Sequence, residues 1–254
     1  MMADRPKSKD KAGSRKKKKA GRRTHFVPVI LVLVLAALVI AECVLFQGES
    51  ITITGNQRVS DEEIEQLVHW DTLQGNTLLL WLLDRRVGKG GNEYLEDVEV
   101  RLDGPNQVEV TVTEVTLIGC FAADTGYYYC DEDGKAVFLK TERIEDVPLI
   151  EGLAVTLKRG KRIEAMSESA LEDILEIGSL LLTYDIHCDS ILVEDDDTYA
   201  LQMGDVLVRL GRNVYMSERI AELADLTDEL EGRKGTLHLE EYDSTKDSVI
   251  FSQE

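Results

Sequence analysis

Cysteine is scarce in this chain: Cys43, Cys120, Cys130 and Cys188 are the only four in 254 residues. That is too few for a disulfide scaffold of this size. Cys120 and Cys130 flank a turn signal at Asp124-Thr125-Gly126 symmetrically about Thr125, so a cross-hairpin bond and two buried free thiols are both open. Cys188 has no partner in view, and three cysteines beyond Cys43 favour free thiols. Histidine is equally sparse. His25, His69, His187 and His238 stand alone, with no second His or Cys at metal-ligand spacing. No Gly-x-Ser-x-Gly elbow or Walker loop occurs, and Lys89-Gly90-Gly91 lacks the strand context of a phosphate cradle. Asp131-Glu132-Asp133-Gly134 lacks the ligand pattern of a calcium loop, so it and Asp195-Asp196-Asp197 read as turns. Met166-Ser167-Glu168, the nearest approach to a serine–lysine protease step, is better explained as a helix cap. The expectation is a non-enzyme with no catalytic residues, no cofactor and no metal.

Positive charge is also missing from most of the chain. Eleven Lys/Arg crowd into Met1–Arg23 against Asp4 and Asp10, whereas Gln47–Glu254 holds 18 basic and 45 acidic residues. An acidic surface of that size excludes nucleic acid as a partner, because phosphate contacts need clustered cations. The one long apolar run, Phe26–Phe46, is interrupted by a charge only at Glu42. A helix of that length spans roughly 30 Å, the hydrocarbon thickness of a bilayer. It is longer than the apolar stretch of a cleaved signal (about 7–15 residues), and Ala36, Ala37 and Ala41 form no convincing cleavage site. Glu42 occupies the position before Cys43 where a lipoprotein signal needs a small residue. A retained single span is expected, with residues 1–25 as a disordered basic cytoplasmic tail and the acidic bulk outside, a type II arrangement.

The outer part reads as two modules. From residue 49 to 115 the pattern is strand, helix, helix, strand, strand. Ser50–Thr54 alternates polar and apolar, Gly55-Asn56 turns the chain, and Ser60 with Glu63 forms a capping box before Ile64, Leu67 and Val68. A Leu-rich helix over Thr77–Arg86 follows, broken at Lys89-Gly90-Gly91; Val98–Leu102 and Val108–Thr113 are strands around the turn Asp103–Asn106. From 116 to 241 short strands dominate: Leu117–Ala122, Tyr127–Cys130, Ala136–Leu139, Val147–Gly152, Ser190–Val193, Tyr199–Met203, Val206–Leu210 and Thr236–Glu240. Two helices interrupt them. Ser167 caps one with an apolar face of Leu171, Ile174, Leu175, Leu181 and Leu182; Ser217 caps the other, which carries Ile220, Leu223, Ala224 and Leu230. Residues 242–254 form a terminal segment with a last strand at Ser248–Phe251. The fold class is α+β: a transmembrane helix, a β-α-α-β-β module, and a larger mixed β domain with two helices.

This order of parts resembles the FtsQ/DivIB family of bacterial cell-division proteins. The resemblance rests on Ile51-Thr52-Ile53-Thr54-Gly55-Asn56, the Val98–Thr113 strand pair, Asp131-Glu132-Asp133-Gly134, Val147-Pro148-Leu149-Ile150-Glu151-Gly152, and Val208-Arg209-Leu210-Gly211 before the Ser217 helix. The family often carries a Glu-basic-x-Pro step where its outer domains join. Here Glu114 matches, but Val115-Thr116-Leu117 do not. The resemblance implies a POTRA domain followed by a β domain, in a protein at the division septum that docks small single-pass proteins (FtsB/DivIC-like and FtsL-like). Through them it would act indirectly on septal cell-wall synthases. It further implies docking by the late strands, through Thr236, Leu237, His238, Leu239, Glu240, Val249, Ile250 and Phe251. An exposed strand edge accepts a partner strand by β-augmentation, while alternation lets the same residues pack a core. The alternative function is an envelope-assembly or sensor protein using the same module for protein contacts.

Overall fold

A computed structural model describes residues 26–71, 75–84, 92–194, 197–242 and 249–253. The basic tail, the Lys89-Gly90-Gly91 break, Asp195, Asp196 and Ser248 lie outside the described residues. The chain opens with α1 (Phe26–Leu45), a 20-residue helix whose described side chains are exposed except for half-buried Glu42. Among the described residues, no helix is long and apolar enough to cross a membrane. The α1 backbone runs 20 residues, about 30 Å.

β1 (Ser50–Thr54), α2 (Asp61–Leu67), α3 (Thr77–Asp84), β2 (Leu95–Leu102) and β3 (Gln107–Glu114) follow. Their three strands lie in the order β1-β3-β2, with β1 parallel to β3 and β2 antiparallel to it. The sequence pattern explains the local structure. Ser60 caps α2 by accepting the Glu63 amide at 3.3 Å, and Ile64 and Val68 are buried among Leu80, Val98, Val100, Val108, Val110 and Val112. Gly55 turns the chain at φ +90°, where a Cβ would strike the Val112 carbonyl.

The second part is built on nine strands in the order β14-β13-β12-β11-β10-β7-β4-β5-β6. In chain order they and their companions are β4 (Leu117–Ala123), β5 (Gly126–Asp131), β6 (Ala136–Lys140), β7 (Leu149–Glu151), the two-residue pair β8 (Val155–Thr156) and β9 (Glu164–Ala165), and α4 (Glu168–Thr183). Then come β10 (Ser190–Glu194), β11 (Thr198–Met203), β12 (Val206–Gly211), α5 (Met216–Leu230), β13 (Gly235–His238) and β14 (Ile250–Ser252). Helices α4 and α5 cover one face, with Leu171, Ile174, Ile177, Ile220 and Leu223 packed on Ile118, Ile191, Leu201 and Val208. A smaller cluster of Leu117, Cys120, Tyr129, Phe138 and Val147 lies beside it, and Tyr94 reaches in from the first module.

Three expectations need correction, whereas the favoured free-thiol reading of the cysteines holds. Ser217 does not cap α5; the cap is Tyr215 in a left-handed conformation (φ 58°), and the helix starts at buried Met216. Leu182 is 51% exposed and leaves the α4 core face to Ile177 and Gly178. The Thr236–Glu240 strand runs Gly235–His238, and the last strand falls at Ile250–Ser252. Cys120 and Cys130 are free thiols: the hairpin pairs Cys120 with Tyr129 and Cys130 with Gly119, so an odd offset sends the two side chains to opposite faces. Burial pushes their thiols up to about 11 and about 12, and that of Cys188 to about 12, so all three are protonated and unreactive near neutrality.

Candidate docking edge

The position of β14 defines the site. It is the outermost strand of the nine, antiparallel to β13 through Thr236↔Ser252, Leu237↔Phe251 and His238↔Ile250. β13 lies one place further in, with its other side paired parallel to β12. The eight residues singled out by the resemblance therefore come together, but in different roles. Leu237 and Leu239 are buried, Val249 and Phe251 pack against the same core, and Ile250 is 63% exposed. Thr236 and His238 are half-buried, and His238 Nδ1 lies 2.9 Å from Glu240 Oε1. Gly235, at φ +141°, lets β14 close in; a Cβ there would meet the Ser252 carbonyl.

The opposite edge, β6, is blunted at its first residue. The Ala136 amide donates to the Lys161 carbonyl at 2.9 Å, the Gly160 amide donates to the Ala136 carbonyl at 2.6 Å, and Lys135 bridges to Arg162. A covered edge offers few free backbone groups to an incoming strand. The two ends of the sheet thus differ in availability.

Behind β13, Arg219 is a feature that sequence reading missed. It sits on α5 at 6% exposure and donates to four carbonyls: Leu210 (2.6 Å), Arg212 (3.0 Å), Glu240 (2.7 Å) and Tyr242 (3.3 Å). It therefore fixes the end of β12 and the path leaving β13. An Arg on a helix that also carries Glu218 and Glu222 reads as a surface cation, and only the strand order shows where it points.

A second unforeseen device joins the two modules. The Glu114 carboxylate accepts the amides of Gln57 (2.8 Å), Arg58 (2.9 Å) and Val59 (3.0 Å). Arg58 then meets Asp146 in a two-pronged pair at 3.0 and 2.7 Å. Glu93 pairs with both Lys140 and Arg159, and Tyr94 stacks edge-on against Phe138 at 5.0 Å. Arg58, Glu93, Tyr94, Lys140 and Arg159 border a cleft of about 880 Å³ between the modules. Its lining mixes acids and bases, with no convergent nucleophile and base.

Residues 46–114 match the model for a POTRA domain of the FtsQ type. Over 238 residues the chain is 25% identical to "Cell division protein DivIB" of Bacillus subtilis (strain 168), a match that covers 91% of this chain and 85% of that protein. The chain carries an FtsQ-type POTRA domain and is similar along most of its length to a DivIB. The matched POTRA segment coincides with the three-stranded module, and Glu114, the one residue shared with the family's junction step, closes it.

Two predictions concern this junction. Glu114→Ala leaves three amides without their acceptor and should cost the POTRA module about 2 kcal/mol, given the worth of bonds to a charged group discounted for exposure. Glu114→Gln keeps one acceptor oxygen and should cost about half as much. Urea unfolding followed by Trp70 fluorescence reads both, and equal losses would refute the capping role. The second prediction is acid sensitivity. The Arg58 guanidinium holds the Asp146 carboxyl below its usual range. A depressed carboxyl stabilises above its unfolded pKa and loses that contribution as pH falls through its folded value. Protease cutting at residues 115–116 should therefore accelerate below about pH 4, where carboxyls ordinarily protonate, and Arg58→Gln should abolish the pH dependence.

Proposed function

We propose that this protein is a non-enzymatic, single-pass scaffold of the bacterial division machinery. Its POTRA domain (49–115) and β domain (116–241) would stand outside the membrane and dock small single-pass division proteins of the FtsB/DivIC and FtsL kinds at the septum. Docking would help control septal peptidoglycan synthesis by other enzymes. The observation that carries this reading is that β14 ends the nine-stranded sheet with Ile250 exposed, while the start of the opposite edge strand, β6, is occupied by backbone bonds to residues 160–162. Similarity to a DivIB supports the division role, and α1, flanked by a cationic tail and an acidic body, supports the anchor. Physically the mechanism is confinement. An anchor and one docking edge raise the effective concentration of partners without chemistry.

A photoreactive residue scanned through Thr236–Phe251 in living cells tests it. Strong crosslinks to a small membrane protein should appear at Ile250 and fade at Leu237 and Leu239, which are buried. A fluorescent fusion should form a midcell band. A uniform membrane signal, or crosslinks spread evenly over buried and exposed positions, would overturn the proposal.

A further inference from the structure

The POTRA helix α3 is unusual for a surface helix. Its sequence is Thr-Leu-Leu-Leu-Trp-Leu-Leu-Asp, and Leu79, Leu82 and Leu83 are 40%, 63% and 62% exposed. Those positions are spaced i, i+3 and i+4, so they form one stripe on the outer side. Thr77 and Leu80, on the inner side, are fully buried. Leucines in such a contiguous patch are costly to leave in water and mark a contact.

What meets them follows from how α3 begins. The Thr77 amide donates to the Phe46 carbonyl at 3.0 Å, and its hydroxyl lies 3.4 Å from the same oxygen and 2.5 Å from the Pro105 carbonyl. Gln47 bridges to Asn76, and the Gly48 amide donates to the Gly75 carbonyl. The first turn of α3 is thus stitched to the residue that follows α1. Eight residues of helix extend only about 12 Å, so the leucine stripe lies close to the outer end of the apolar rod. A bilayer that holds α1 places its headgroup boundary there, and apolar side chains of an interfacial helix sink about 5–10 Å into that zone. Half-buried Trp81 has the amphipathic ring favoured at the same depth.

We infer that α3 seats the POTRA domain on the outer leaflet, with Leu79, Leu82 and Leu83 in contact with lipid. This rests on the reading of α1 as a membrane span. It adds that the POTRA domain lies against the bilayer rather than swinging freely on its anchor, which fixes the direction from which partners reach the β domain.

The test uses the full chain reconstituted in vesicles of phosphatidylcholine and phosphatidylglycerol, carrying Cys43→Ala and one introduced thiol, Leu82→Cys or the control Met166→Cys. Met166 is 89% exposed on the β domain; the native thiols at 120 and 130 are buried, and half-buried Cys188, its thiol pushed up to about 12, stays protonated at the neutral pH of labelling. An environment-sensitive fluorophore is attached, and quenching by headgroup-nitroxide lipid is measured. Quenching at 82 should exceed that at 166 by about threefold or more, as expected for a side chain within the interfacial zone. Carbonate extraction separates the two ideas. A chain stripped off by carbonate overturns the membrane reading and this inference together. A chain that stays, with position 82 quenched no more than 166, overturns the lipid seat alone. A probe at 82 that is shielded in native membranes yet wet in pure lipid assigns the stripe to a protein partner and equally defeats it.

Discussion

Arg219→Met should destabilise the β domain by about 3–5 kcal/mol, the loss expected when a buried charged partner is removed from groups that depend on it. Its guanidinium supplies the carbonyls of Leu210, Arg212, Glu240 and Tyr242, and each buried carbonyl left without a donor costs about 1–3 kcal/mol. The sum is below four full penalties because three of the four bonds are only partly buried. Arg219→Lys should recover less than half of the loss. One ammonium lacks the planar fork needed to reach four acceptors on two segments. Urea unfolding followed by far-ultraviolet dichroism gives the numbers, and a cost under about 1 kcal/mol for the Met variant would show that the clamp is dispensable. The functional consequence is separable. Because Arg219 holds Glu240 and Tyr242, its loss should free the return into β14, and crosslinking at Ile250 should fall even at temperatures where α4 and β4 remain folded.

How far these features can be read in advance depends on whether their causes are local. The Ser60 and Ser167 caps, the Gly55 turn and the hairpin strands β4 to β6 are written within a few residues of where they act, and the structure has them in place. Periodicity fails where elements are too short to show it, as with the two-residue strands β8 and β9. It also fails where a tertiary contact selects the boundary. Asn213 bonds to Asp173 at 2.7 Å and Glu176 at 2.8 Å on α4, tying the loop to α4 two residues before the left-handed Tyr215, and α5 starts one residue before Ser217. The edge itself was legible only in part. Thr236–Glu240 and Ser248–Phe251 could be recognised as strands from alternation, but that β13 is internal and β14 external follows from strand order. The parallel pairing of β13 with β12 across the whole of α5 has no local signature.

The contact between α4 and β4 gives the second large effect. Gly178 lies mid-helix, where glycine ordinarily costs about 1 kcal/mol relative to alanine. Here the missing side chain is required: a Cβ would overlap Ile118 Cγ2 and come within 3.2 Å of the Ile118 carbonyl. Gly178→Val should therefore cost about 3 kcal/mol, at the upper end of overpacking penalties, despite the better helix propensity. The damage should travel. α4 carries Asp173, which also accepts the Tyr199 hydroxyl at 2.7 Å, so lifting the helix off β4 disturbs the same aspartate that anchors Asn213 and the start of α5. Ile118→Ala, which removes the clashing methyl, should be destabilising alone by about 2–4 kcal/mol, yet combined with Gly178→Val should lose at least about 1 kcal/mol less than the two singles added. Additive losses would mean that the Ile118 contact does not set the spacing between α4 and the sheet. A favourable coupling would show that one absent methyl group positions the helix on which the order of α5, and through Arg219 the docking edge, depends.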